Sequence, residues 1–164
     1  MVVIGDRKGK LTLLYNYLSE GRNQNQFSSV LEWHTGPVLA LCSNGNYIYS
    51  AGQESVIVLW HTKDLTRDFL PRVGTAIHYL SIRPQTNQIV CSLADNSIKI
   101  IDLSRDKEVT TFKTLIDPQG YAPQEGPRFS PLTTSLNNGV LCLNSLPGKL
   151  QFLNLHKNLK NAEF

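Results

Sequence analysis

The sequence predicts an all-β chain: a partial β-propeller of about four antiparallel, four-stranded blades. Three observations carry this expectation. Four apolar segments align without gaps at blade-length intervals, each has a second β-rich segment just upstream, and no stretch of helical period and useful length competes with them.

The aligned segments are GKLTLLYNY from Gly9, SVIVLWHTK from Ser55, NSIKIIDLS from Asn96 and GKLQFLNLH from Gly148. Leu11, Ile57, Ile98 and Leu150 share one column, and Leu13, Leu59, Ile100 and Phe152 another. Leu14, Trp60, Ile101 and Leu153 form a third, with steps of 46, 41 and 52 residues. Blades of repeat propellers recur about every 40–45 residues, and loop insertions lengthen the step. Each segment is rich in β-branched or aromatic residues, as a short strand requires.

Upstream of these lie Val2 to Ile4, Tyr47 to Ala51, Ile89 to Ser92 and Val140 to Asn144. The links GDRKG, GQES, LADN and SLPG are turn sequences, so each pair reads as a hairpin. A further strand precedes the pair, clearest in Val38 to Cys42 and Ile77 to Ile82. The remaining strand of each unit is expected in Ser29 to Trp33, Glu108 to Phe112 and around Phe69. Polar alternation is incomplete because a blade is packed on both faces by its neighbours. The expected organisation is one domain, 1–164, with units ending near residues 17, 62, 103 and 155 and a Pro/Gly-rich loop at 117–131.

Composition narrows the function classes. With 41% hydrophobic and 18% charged residues among 164, the chain suits one compact soluble domain and shows no mark of disorder. A net charge of +3 is too mild to name a nucleic-acid partner unaided. Cys42, Cys91 and Cys142 lie inside apolar runs at no metal-ligand spacing, so reduced core thiols in an intracellular compartment are expected. The start, MVVIGDRKGK, is too short and too soon charged for a secretory signal, and no apolar run approaches the ~20 residues of a membrane helix.

The second unit carries the most specific pattern: HTGPVLAL from His34, then YIYSAGQESVIVLW ending at Trp60. This resembles the WD-repeat family, in which a His, a Ser, an Asp and a Trp are joined by hydrogen bonds across a blade. Position by position, the resemblance implies a structural, tetrad-like role for His34, Ser50, Glu54 and Trp60. Two positions depart from it. Glu54 stands where Asp is usual, so the reach to His34 is expected to suffer, and His61 follows Trp60 where Asp is usual. The third unit keeps DNSIKIID, with Asp95 at the turn, Ile101 in place of Trp, and Asp102 at the end.

Catalytic and metal readings find no support in the pattern. His61, His78 and His156 fall in different units at no ligand spacing from His34, and Ser50 lacks the nucleophile-elbow sequence. GDRKGK has no Gly-Lys-Ser/Thr ending and no following helix, so it reads as a hairpin turn and not a phosphate loop. Asp64 and Asp68 read as a solvated face. Arg7, Lys8 and Lys10 share one turn, with Lys149 in the equivalent column of the last unit. An RNA-contacting arc on one rim and ordinary solvated turn charges both fit them. No cofactor, metal or small-molecule substrate is expected.

Three further pieces, ESVIVLW, DFLPRVG from Asp68 and LPGKLQFLNL from Leu146, resemble the WD-repeat propellers of the UtpA (t-UTP) subcomplex of the small-subunit processome. The resemblance runs from Phe27 to Leu155, with Phe69-Leu70-Pro71-Arg72 and Pro147-Gly148-Lys149-Leu150-Gln151-Phe152 the most distinctive pieces. It implies a non-enzymatic scaffold in the nucleolus of the nucleus, supporting pre-rRNA processing and rRNA transcription. The implied partners are other UtpA and processome proteins and pre-ribosomal RNA. The alternative is a generic cytoplasmic WD adaptor for peptide segments. Four blades are also fewer than a closed ring of this kind uses, so the chain is expected to be a fragment or to close with further copies.

Overall fold

The computed structural model describes residues 1–16, 27–83, 87–95, 97–104, 108–112, 132–134, 140–146, 149–154 and 159–163, with side chains described up to Ser104 and at Thr111. Fifteen strands and no helix occur among them. They form four sheets of consecutive antiparallel strands. Sheet 1 contains β1 (Val2–Gly5), β2 (Lys10–Leu14) and β3 (Ser28–Glu32). Sheet 2 contains β4 (Val38–Ser43), β5 (Tyr47–Gly52), β6 (Ile57–His61) and β7 (Arg67–Phe69). Sheet 3 contains β8 (Ile77–Arg83), β9 (Gln88–Leu93), β10 (Ile98–Asp102) and β11 (Glu108–Phe112). Sheet 4 contains β12 (Leu132–Thr134), β13 (Val140–Leu146), β14 (Lys149–Asn154) and β15 (Leu159–Glu163).

The aligned columns occupy one structural position. Leu14, Trp60, Ile101 and Leu153 pair with Val2, Ile48, Ile89 and Leu141 on the preceding strand. The fold is therefore a partial propeller built from one repeated meander. The same irregularity recurs in two blades, a register shift between Val38 and Ala40 and another between Ile77 and Tyr79. A bulge at the start of the inner strand is thus part of the blade design here.

Sheet 1 has three strands and the other three sheets four each. Two details differ from the sequence reading. Strands β12 and β15 were not foreseen, because LTT and LKNAE carry no apolar alternation to mark them. Each blade also ends one strand later than the sequence unit: β3 pairs with β2, β7 with β6, β11 with β10 and β15 with β14. The sequence motif ends on the third strand, but the next strand returns along it and takes its open hydrogen bonds. The loop at 117–131 lies outside the described residues, as does the side chain of Cys142.

Alternation on the strands distributes the core between successive blades. On β6, Val58 and Trp60 face sheet 1 and join Leu11, Leu13, Leu31 and Ile48 in one buried cluster. Ile57 faces the other way and joins Tyr49, Ala51, Val73, Ile77, Ile89, Cys91, Leu93 and Ile101 between sheets 2 and 3. Each Val, Leu or Ile side chain among them, taken out of water, contributes about 1.5–3 kcal/mol before the entropy of ordering is charged against it. Sheet 1 turns its other face outward, leaving Ile4 and Val30, which lie in one row across the sheet with Thr12, 49% and 53% exposed.

Candidate functional site

The four side chains singled out in the second unit meet at the interface of sheets 1 and 2. His34 and Glu54 lie in connections on one rim, before β4 and between β5 and β6; Ser50 and Trp60 stand on β5 and β6. Trp60 Nε1 donates to Ser50 Oγ at 2.8 Å. Ser50 Oγ lies 2.8 Å from His34 Nε2, and His34 Nδ1 lies 3.1 Å from Glu54 Oε2. The indole can only donate and the carboxylate can only accept. A His34 tautomer with its proton on Nδ1 therefore satisfies the whole row: indole to hydroxyl, hydroxyl to Nε2, Nδ1–H to carboxylate.

Glu54 reaches His34 despite its extra methylene, because the loop before β4 holds the carboxylate from the other side. Its Oε1 accepts the backbone N–H groups of Thr35 and Gly36, both at 2.9 Å, and the Thr35 hydroxyl at 3.2 Å. Burial alone would raise its pKa. The Gly36 amide and the His34 ring outweigh that cost and bring it down to about 2. The neighbouring turn is fitted as closely: Gly9 has φ +84°, and a Cβ there would strike the backbone of His34.

The network is buried at His34, Ser50 and Trp60 and reaches the surface only at Glu54. Ser50 is 0% exposed, so no substrate reaches its hydroxyl. The Cys91 and Cys42 thiols are pushed up to about 12 by burial, which holds them in the unreactive protonated form. Among the described residues no group of three His, Cys, Asp or Glu side chains is placed to hold a metal ion, and no helix is long and apolar enough to cross a membrane.

The basic turn divides in two. Asp6 Oδ1 accepts the amides of Lys8 and Lys10 at 2.7 and 2.9 Å, and these bonds keep its carboxyl below the ordinary range. Arg7 and Lys8 are exposed at the tip. Lys10 lies on β2 and pairs with Glu32 on β3 at 2.6 Å, which raises the lysine pKa. His61, the residue after Trp60, bonds Asp68 on β7 at 3.0 Å and packs edge-on against Tyr47. Sequence reasoning missed a surface group on the outer strands. Trp33 and Phe69, from adjacent blades, have ring centroids 5.0 Å apart, with Arg67 donating to the Glu32 carbonyl beside them.

Residues 1–96 match the family described as the first β-propeller of WD repeat-containing protein 75. The chain belongs to this WD-repeat propeller family. WD repeat-containing protein 75 of Xenopus laevis is 32% identical over 94% of the chain and 18% of the relative's length. The human protein of that name is 30% identical over 99% of the chain and 19% of its own length. U3 small nucleolar RNA-associated protein 17 of Schizosaccharomyces pombe is 30% identical over 76% of the chain and 15% of its length. The chain thus spans less than a fifth of these relatives. Among solved structures, U3-55K superposes with a TM-score of 0.74 over 99% of the chain and 47% of its own, at 16% identity, a likeness of fold alone.

Proposed function

We propose that the chain is part of a non-enzymatic WD-repeat scaffold in ribosome biogenesis, acting in the nucleolus in pre-rRNA processing and rRNA transcription. Its partners are other UtpA and small-subunit processome proteins and pre-ribosomal RNA. The observation that carries this reading is the family: relatives about 30% identical across most of the chain, one of them named for association with U3 small nucleolar RNA. The geometry fits a platform, since the His34, Ser50 and Trp60 side chains of the polar network are buried. His34, Ser50, Glu54 and Trp60 tie the strands of the second blade to its rim loops. Arg7 and Lys8 face the phosphate backbone from one rim, with Lys10 held against Glu32 behind them.

The test is purification of the tagged protein from cells, with its companions identified by mass spectrometry and RNA sequencing. UtpA proteins and the 5′ region of the pre-ribosomal RNA are expected. Their absence, with short cytoplasmic peptides or their parent proteins in their place, would return the chain to a generic adaptor.

A further inference from the structure

The four sheets stand in a row. Their innermost strands meet in succession, β1 with β4, β4 with β8 and β8 with β12. Sheets 2 and 3 thus have a neighbour on each side. Among the described residues, sheet 1 has such a neighbour on one side only.

The consequence shows at matching positions. Val2, Ile4, Thr12 and Leu14 of sheet 1 correspond in column and register to Ile48, Ser50, Val58 and Trp60 of sheet 2. The sheet 2 residues face sheet 1 and are at most 2% exposed. In sheet 3 the matching Ile89, Cys91 and Ile101 face sheet 2 and are 0% exposed. On sheet 1 the same face lies open. Ile4 and its row neighbour Val30 are about half exposed, and Val2, Thr12 and Leu14 are only partly buried. Lys10 and Glu32, at the rim end of this face, are paired with each other. The face is therefore neutral and largely apolar, so a phosphate backbone gains little from it, whereas a second β-sheet can pack on it.

The chain itself carries a face of the complementary kind. Leu11 and Leu13 of sheet 1 face sheet 2, and Ile57 of sheet 2 faces sheet 3 with Leu59 packed at the same core. In the last unit Leu150 and Phe152 fill those two columns. As a matter of fold, the chain superposes on 47% of U3-55K, so two copies have about the extent of that one solved chain. A head-to-tail contact closes when the rotation it imposes returns to its start, and propellers close with about four to eight blades.

We propose that the outer face of sheet 1 is the docking face for sheet 4 of a second copy of this chain, so that two copies complete one ring. The inference goes beyond the ribosomal reading and does not depend on it.

The test is sedimentation equilibrium of the full chain over a range of concentration. A dimer is expected, with a urea midpoint that rises with chain concentration. Ile4→Lys with Val30→Lys puts two charges into the contact at positions already half exposed in the single copy. The pair is expected to weaken association at least about a hundredfold, because a buried charge without a partner is costly. Ile4→Val with Val30→Ile keeps the face apolar and is expected to associate like the parent. A parent that stays monomeric overturns the proposal, and so does an open series of larger assemblies. A dimer that the lysine pair leaves intact uses another surface and overturns it as well. If the lysine pair fails to fold, the parent decides: a urea midpoint independent of concentration sinks the proposal. In cells, a photo-cross-linking residue at Val30 is expected to capture a second copy. Capture of a different polypeptide there would give the face to that partner and overturn the proposal.

Discussion

Sheets 2 and 3 share one backbone design but fill three of the same four positions with opposite chemistry, keeping a carboxylate at the fourth. Counting from the bulge and the paired strands, Val73 stands where His34 does, Cys91 where Ser50 does, Ile101 where Trp60 does and Asp95 where Glu54 does. In sheet 2 these side chains form a chain of hydrogen bonds from indole to carboxylate. In sheet 3 Val73, Cys91 and Ile101 are buried among apolar neighbours, while Asp95 turns back to cap its own turn through the Ser97 amide and hydroxyl. Both blades pair four antiparallel strands, so the polar network is not what makes the sheet. Its consequence lies in sensitivity. An apolar set loses contact area when one member shrinks, whereas a polar set also leaves buried donors and acceptors without partners.

The largest effect that would test this contrast is Trp60→Ala, which removes a core side chain and the donor to Ser50 together. We expect a loss of about 3–5 kcal/mol, read as the shift in urea midpoint, a large share of the roughly 5–15 kcal/mol that holds an ordinary domain folded. Next comes the exchange of chemistry. His34→Val alone leaves the Ser50 hydroxyl and one Glu54 oxygen short of a partner, for about 2–3 kcal/mol. The combination of His34→Val, Ser50→Cys and Trp60→Ile copies the sheet 3 set and should recover a good part of the summed single losses. Strict additivity in that cycle would mean the four residues do not act as a unit.

A smaller effect is the acid sensitivity that Glu54 gives to sheet 2. The folded pKa of Glu54 is about 2 against an ordinary 4.5, so below pH 4.5 the unfolded chain takes up a proton that the folded chain resists. The stability this residue supplies is complete above pH 4.5 and drains away as pH falls toward 2. Glu54→Gln should flatten that limb of a midpoint-against-pH curve; an unchanged limb would assign acid sensitivity elsewhere. The smallest expected change is Lys10→Ala, which removes an exposed ion pair and should leave the urea midpoint within error at moderate salt.

Much of this was legible in the chain itself. The third-strand columns could be read because apolar residues recur at a fixed step, and the hairpins because their turns are marked by Gly, Asp and Asn. His34, Ser50 and Trp60 were legible through their resemblance to a repeat family. The reach of Glu54 was not, since it depends on two amides of the preceding loop, 18 and 19 residues away, that close on its far oxygen. The pairing of Lys10 with Glu32 was hidden for a similar reason: the two lie on neighbouring strands whose register the sequence leaves open. Phe69 read only as a strand position, because nothing local says that Trp33, 36 residues earlier, will stand behind its ring.

The sequence by itself determined that this chain is a row of short antiparallel strands and where its repeating units fall, because strand alternation and turn chemistry act over a few residues. Tertiary structure decided the rest: which blade each alternate side chain faces, which charges are spent internally, and which aromatic ring stays at the surface. Those outcomes arise where two sheets are pressed together, and they depend on partners that no local pattern names.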